Sequence, residues 1–211
     1  MFAEQTWVAR LIWLLLLGVV LWALATFRWE QAFVGMATLA LSLTPVLAAR
    51  WADIRVPPSF IAAIVMFIGG TVFLGEVFDF YERYWWWDMV MHGGSAVGFG
   101  LIGFVLVFMM FQGDRFAAPP FAMAVFAFCF AIAIGTAWEV FEFAMDQLFG
   151  LNMQKSGLND TMGDLMVNGI GAVLGASAGY AYLKEWARGG LPRVIAEFVD
   201  SNPRFFRRRR K

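Results

Sequence analysis

The sequence is poor in charged residues and in cysteine, and each shortage excludes a class of protein. Only 15% of its 211 residues are charged and 61% are hydrophobic, whereas soluble domains average about 25% charged and about 45–50% apolar residues. The single cysteine, Cys129, excludes a disulfide framework and a cysteine-rich zinc site. Because it sits inside an apolar run, we interpret it as a packing residue. The composition therefore predicts a chain that folds in lipid.

Six long apolar segments predict the membrane-spanning helices, since about 20 predominantly apolar residues are needed to cross a bilayer. Charged, polar or proline-rich breaks separate the segments, which cover residues 7–27, 30–49, 59–80, 88–112, 119–148 and 161–184. The first resembles a signal peptide, but the sequence begins at Met1, so we expect it to be retained as a spanning helix. The prediction is an all-α, polytopic membrane helix bundle over residues 1–185.

The distribution of basic residues predicts the orientation of this bundle. With the N-terminus in the cytoplasm, 13 of the 16 lysines and arginines fall on the cytoplasmic side. Only Arg28, Arg83 and Lys155 then lie outside. Lysine and arginine concentrate in cytoplasmic loops of membrane proteins. We therefore expect both termini to face the cytoplasm.

Residues 186–211 predict a basic cytoplasmic tail, too short and polar for a folded domain. Residues 191–199 are consistent with a short amphipathic helix, and residues 204–211 hold six positive charges. Such a tail either binds anionic lipid, with Phe205 and Phe206 entering the membrane interface, or serves only to fix the topology. Nothing else in the chain supports nucleic-acid binding, so we expect none.

Acidic side chains and the only histidine gather near the outer ends of the last four segments. Residues three or four apart share a helix face, as do Asp88 and His92, or Asp160 and Asp164. An up-and-down bundle brings these ends to one side of the membrane. The candidate ligands of a metal site are Asp88, His92, Glu139, Glu142, Asp160, Asp164 and Asn168, with Asp79 and Asp146 as secondary candidates.

The charge of these residues needs compensation in a membrane. An ionised side chain at the centre of the bilayer costs about 2.5–3.5 kcal/mol, and few basic residues are near in the sequence. Carboxylates with one imidazole and one amide oxygen suit a divalent cation such as Mg, Ca, Mn, Fe or Zn. The alternative is a protonated, water-bridged network that holds the helices together.

Small residues recur on the fourth and sixth segments. Glycines on helices allow two backbones to approach closely. The relevant positions are Gly93, Gly94, Gly98, Gly100 and Gly103 in the fourth segment and Gly171, Gly175 and Gly179 in the sixth. The pattern predicts a tight contact between these two helices beneath the polar groups.

The polar pattern also resembles a known family. Asp88 and His92, then Trp138-Glu139 with Glu142, then Asp160, Asp164, Asn168 and Gly171 resemble the YjdF-like family of uncharacterised bacterial inner-membrane proteins. They are more distantly similar to the VanZ-like family, named for a glycopeptide-resistance accessory protein. The resemblance covers residues 60–185 and implies a polytopic protein of the bacterial inner membrane. The chain departs from the VanZ-like pattern at Asn159, where that pattern has an arginine.

Three functions are compatible with these features, and the sequence does not decide whether the protein is an enzyme. The first is an accessory or assembly subunit of a membrane complex, with the polar cluster holding a cation and the aromatic and glycine-rich surfaces contacting other membrane proteins and lipids. The second is a metal-dependent hydrolase or transferase acting on lipid or envelope substrates. The third is a proton- or cation-coupled transporter.

Overall fold

All regular secondary structure in the described part of the chain is helical. The computed structural model describes residues 4–111, 118–186 and 189–206, which contain no strand. Its helices are α1 (Trp7–Ala25), α2 (Trp29–Trp51), α3 (Pro58–Ile68, continuing as a π-helix over Gly69–Val77), α4 (Phe80–Arg83), α5 (Trp87–Phe111), α6 (Pro120–Phe149), α7 (Leu158–Leu183) and α8 (Gly190–Ser201).

The helix boundaries follow from local sequence. Pro58 and Pro120 are the first residues of α3 and α6, positions that suit proline because a helix leaves its first N–H groups unpaired. The Thr6 hydroxyl accepts a hydrogen bond from the Ala9 N–H at 3.3 Å and so caps α1. Gly150 ends α6 in the left-handed conformation, with φ at 68°.

Within the residues that the structure describes, five of the predicted spans are long and apolar enough to cross a membrane. They are α1, α2, α3 with its π-helical continuation, α5 and α6. This confirms a polytopic membrane protein. At 26 residues α7 also has the necessary length. It is not among the five, because its glycines and its polar residues, including Asp164 and Asn168, lower its mean hydropathy. The sixth span therefore stays a prediction.

The chain divides into two compact units. The first runs to Trp87 and includes Asp200–Asn202. Its apolar core is formed by α1, α2 and α3, with Trp13, Val46 and Val65 buried among them. The indole N–H of Trp13 donates to the Ser42 hydroxyl at 3.1 Å, which satisfies the polar end of a buried ring.

The second unit begins at Asp88 and contains α5, α6, α7 and most of α8. In it the backbones of α5 and α7 approach closely at glycines. A Cβ atom on Gly175 would lie 2.6 Å from the carbonyl oxygen of Val97 and 2.9 Å from the Cα of Gly100. A Cβ atom on Gly171 would overlap the carbonyl oxygen of Gly93. The predicted tight contact between these helices is confirmed.

The described residues after α7 include a helix and side chains packed against the rest of the protein. The predicted amphipathic helix is confirmed as α8, whose Ile195 is buried. The Asn202 side chain makes two hydrogen bonds to the backbone of Arg55, accepting from its N–H at 2.8 Å and donating to its carbonyl at 2.7 Å. Phe206 is 5% exposed and stacks on Phe108 at 5.4 Å. The expectation that Phe206 enters the membrane interface is therefore wrong, because protein rings enclose it. The basic residues 207–211 lie outside the described residues.

Gly175 provides a test of the α5–α7 contact. Gly175→Ala would push a methyl group against rigid backbone, and we expect it to lower the free energy of unfolding by about 1–3 kcal/mol. Gly169→Ala on the same helix is the matched control, since a Cβ atom there meets nothing within 4 Å. Denaturant unfolding in detergent micelles measures both. Equal stability of the two variants would contradict a backbone contact at Gly175.

Candidate metal centre

Three helices of the second unit bring the candidate residues together. The first turns of α5 carry Asp88 and His92, and the second half of α6 carries Glu139 and Glu142. The first turns of α7 supply Asp164, with Asn168 one turn later. Because α6 runs opposite to its two neighbours, these positions meet at one end of the unit. Side chains four residues apart, such as Asp88 and His92, lie on the same face of their helix, as predicted.

His92 lies between two carboxylates. Its Nε2 is 3.4 Å from Oδ1 of Asp88, and its Nδ1 is 3.5 Å from Oε1 of Glu139. His92 and Glu139 are buried, whereas Asp88 is partly exposed. Both distances exceed the 2.7–3.2 Å that is typical of a hydrogen bond to a ring nitrogen, about 2.9 Å on average. The imidazole thus has an acidic neighbour on each side and a close hydrogen bond to neither.

Two overlapping groups of side chains have a spacing suitable for a metal ion. One is Asp88, His92 and Asp164, and the other is His92, Glu139 and Glu142. Within each group the potential ligand atoms lie within 4.8 Å of one another. Ligands on opposite sides of one ion are separated by about 4–5 Å, because each metal–ligand bond measures roughly 2.0–2.6 Å. Either group is therefore close to the dimensions of a metal site.

Several polar atoms in this cluster are buried without a hydrogen-bond partner among the described residues. They are both carboxylate oxygens of Glu139, Oδ2 of Asp164 and both polar atoms of the Asn168 amide. These three side chains are 4%, 3% and 1% exposed. Leaving a buried polar group unpaired costs about 1–3 kcal/mol, and more if it is charged. The cluster consequently needs a partner that the neighbouring side chains do not supply.

Two further residues, Trp138 and Gly135, shape the site through contacts with Glu142 and Asn168. The Trp138 indole N–H donates to Oε1 of Glu142 at 2.8 Å, a bond that the four-residue spacing on α6 permits. Gly135 leaves room for Asn168, since a Cβ atom at Gly135 would lie 2.6 Å from the Asn168 Nδ2. Asn168 is therefore packed directly against the backbone of α6. Trp138 was visible in the sequence motif, but the importance of Gly135 depends on how α6 and α7 pack.

The remaining candidates lie outside both groups of potential ligands. Asp160 is partly buried one turn before Asp164. Asp146 folds the loop between α6 and α7, because its two oxygens accept from the N–H groups of Met153 at 2.7 Å and Gln154 at 2.9 Å. Asp79 belongs to the first unit, where its exposed side chain lies 3.9 Å from Arg83.

The role of Asp146 in this loop can be tested by hydrogen exchange. Asp146→Ala removes two charge-assisted hydrogen bonds, so we expect the amides of Met153 and Gln154 to exchange at least about tenfold faster. Gln147→Ala, at the exposed neighbouring position, is the control. Mass spectrometry of the exchanged protein measures both. Unchanged exchange at the two amides in Asp146→Ala would refute this role.

The comparisons with known proteins agree with this architecture. Residues 8–185 match a family described as predicted membrane protein (DUF2238). An uncharacterized protein of Thermotoga maritima is 27% identical over 114 residues, which cover 50% of this chain and 56% of that protein. The match thus spans little more than half the length of this relative. No solved structure matches.

The narrower resemblances to the YjdF-like and VanZ-like families stay predictions. Because the match extends from α1 through α7 and includes the whole cluster around His92, the chain belongs to the DUF2238 family of predicted membrane proteins.

Proposed function

We propose that this membrane protein binds one divalent cation at the cluster around His92. The observation that supports this is the group formed by Asp88, His92 and Asp164, whose potential ligand atoms lie within 4.8 Å of one another and in which Oδ2 of Asp164 is buried. Asp88 and Glu139 both pair with His92, so one imidazole lies between two carboxylates. A cation supplies the missing positive charge and accepts several carboxylate oxygens at once. One imidazole among carboxylates favours Mn, Fe or Zn over Mg and Ca.

The ligand set that we propose is Asp88, His92 and Asp164. Oε1 of Glu142 already accepts a hydrogen bond from Trp138, which makes Glu142 a weaker candidate. If His92 binds the ion through Nε2, its Nδ1 carries the proton and donates it toward Glu139, 3.5 Å away. A histidine that binds a metal commonly donates its other N–H to a carboxylate, which fixes the ring. Glu139 is then a positioning residue, and the partly exposed Asp88 provides the entry side for the ion.

The bound cation would act first as a link between helices. It joins the start of α5 to the start of α7, and His92 connects it to α6 through Glu139. A fixed ion of this kind suits an accessory or assembly subunit of a membrane complex, which is the role that we propose for the protein.

A metal-dependent hydrolase or transferase acting on lipid or envelope substrates is the second candidate, since a cleft reaches Glu139 from the side of α6.

We also propose that the protein resides in a bacterial inner membrane with both termini in the cytoplasm. The distribution of lysine and arginine supports this orientation, which would put the cation site near the outer face. The basic residues 207–211 would then meet the anionic lipids of the cytoplasmic leaflet.

Metal content tests the cation site directly. We expect purified wild-type protein to contain about one divalent ion per chain, and Asp164→Asn or His92→Ala to contain none, because each removes a ligand. Glu139→Gln should weaken metal affinity by about 10–100-fold, as expected for a group that only orients the histidine. Elemental analysis measures content, and a chelator titration followed by thermal unfolding measures affinity.

The matched control for these variants is Glu197→Gln. It makes the same acid-to-amide change on α8, where Glu197 pairs with Arg193 at 2.8 Å, and should leave the metal content unchanged. A chelator should lower the unfolding temperature of wild type but not that of folded Asp164→Asn. Metal-free wild-type protein whose stability is insensitive to both chelator and added Mn, Fe or Zn would exclude the site.

The orientation can be tested by labelling single cysteines with a membrane-impermeant maleimide. Cys129→Ser first removes the native thiol. Ser156→Cys, in the loop between α6 and α7, should then react in intact spheroplasts, whereas Glu4→Cys should react only after lysis. Both positions are exposed, so access depends on the side of the membrane. The opposite labelling pattern would reverse the proposed topology.

A further inference from the structure

An apolar groove runs between the first half of α6 and the second half of α7, away from the polar cluster. Its volume is about 420 Å³, within the range of about 300–1,000 Å³ that is common for ligand sites. The lining combines two small side chains, Ala124 and the buried Ala176, with larger ones that are exposed. The larger ones are Phe121, Val125 and Val173, at 71%, 43% and 51% exposed. Small residues between large ones produce an elongated depression in the surface.

This groove faces the membrane. It includes part of α6, one of the helices long and apolar enough to cross a bilayer, and exposed apolar side chains on such a helix contact lipid. The lining residues cover positions 121–128 of α6 and 173–180 of α7, or about 10 Å along each helix. One leaflet contributes about 15 Å of hydrocarbon. The groove therefore fits within a single leaflet.

One end of the groove has the side chains of a membrane–water interface. Tyr180 lines the groove there. The exposed Trp186 packs against the Tyr180 ring at 5.2 Å, and Nζ of Lys184 lies 5.8 Å from the centre of the same ring. Tyrosine and tryptophan concentrate at the level of the lipid headgroups, and lysines near helix ends extend to that level. The Tyr180 end of the groove therefore lies at the headgroups, with a positive charge beside it.

The shape of the groove favours an acyl chain over a protein helix. The axes of packed helices such as α6 and α7 are about 8–10 Å apart, whereas a helix with its side chains is about 10–12 Å wide. A third helix would rest on Phe121 and Val173 and would reach the alanines only through its side chains. A flexible hydrocarbon chain can fill the depression along its whole length.

Charge at the interfacial end selects the headgroup. The residues that line the groove are uncharged, so the nearest charge at this end is the ammonium of Lys184, which is exposed. An ammonium with three N–H donors binds phosphate oxygens. In a zwitterionic lipid the lipid's own ammonium offsets this attraction, whereas an anionic lipid retains it in full.

We propose that the groove binds one acyl chain of an anionic phospholipid, whose phosphate accepts a hydrogen bond from Lys184. This proposal does not depend on the cation site, because Asp164 lies 16 residues before Tyr180, or roughly 24 Å away along α7. It also differs from a general attraction of lipid to residues 207–211, which requires no groove.

The test compares the lipids that the protein retains. Wild-type protein is reconstituted into vesicles with equal amounts of phosphatidylglycerol, phosphatidylethanolamine and phosphatidylcholine, then re-extracted and analysed by native mass spectrometry. We expect about one retained phosphatidylglycerol per chain, enriched about fivefold over each zwitterionic lipid, as one lysine at the membrane surface would give.

Two variants separate the acyl chain from the headgroup. Val125→Trp fills the groove without changing any charge and should reduce the retained lipid of every class to background. Lys184→Gln leaves the groove open and should keep a bound lipid while lowering the preference for phosphatidylglycerol to about onefold. Because Lys184 is exposed, this second variant tests the proposal even if Val125→Trp fails to fold.

The matched controls make the same substitutions elsewhere. Val140→Trp changes an exposed valine of α6 outside the groove, and Lys155→Gln removes one positive charge from the loop between α6 and α7. Both should retain phosphatidylglycerol as wild type does.

Three results would overturn the proposal. One is equal retention of phosphatidylglycerol by wild type and folded Val125→Trp, and another is no preference among the lipids in wild type. The third is a lipid-free dimer that Val125→Trp dissociates, which would assign the groove to a second copy of the chain. Metal content measured on the same samples reports separately on the cation proposal, since none of these variants changes a proposed metal ligand.

Discussion

The contact between the backbones of α5 and α7 is the constraint on which the polar cluster depends. Gly100 and Gly175 leave no space for a side chain between the two helices. At this separation Asp88 and His92 on α5 reach Asp164 on α7. A Cβ atom on Gly175 would lie 2.6 Å from the carbonyl oxygen of Val97, so a side chain there would force the two helices to shift. The site therefore depends on these glycines, which set the separation of the helices, as well as on the acidic residues.

The cluster itself opposes the stability of the fold. Five polar atoms of Glu139, Asp164 and Asn168 are buried without partners among the described residues. Without a cation or water to pair them, their combined cost, at about 1–3 kcal/mol each, would be comparable to the net stability of about 5–15 kcal/mol that a typical protein has. Apolar residues at these positions would fill the same space without that cost. A functional role explains the presence of these buried polar side chains better than a role in folding does.

The sequence predicts the helices well, and it predicts that polar side chains of α5, α6 and α7 share helix faces, because both depend on short-range patterns. Proline pairs and charged breaks mark the helix ends, and the four-residue spacing of Asp88 and His92 holds on any helix. The π-helical turns over Gly69–Val77 were not predicted, since they keep the same apolar composition as an α-helix. The roles of Asp146 and Phe206 were also missed. Both depend on where a loop or terminal segment folds back, which no local pattern specifies.

The hydrogen bonds between Asn202 and Arg55 have a consequence for the timing of folding. These residues are 147 positions apart in the chain. At about 5–20 residues per second, synthesis of the intervening segment takes roughly 7–30 s. Throughout that interval the backbone groups of Arg55 lack their eventual partner, although α1 and α2 are already made and α3 soon follows. The loop between α2 and α3 thus completes its hydrogen bonds only after Asn202 has been synthesised.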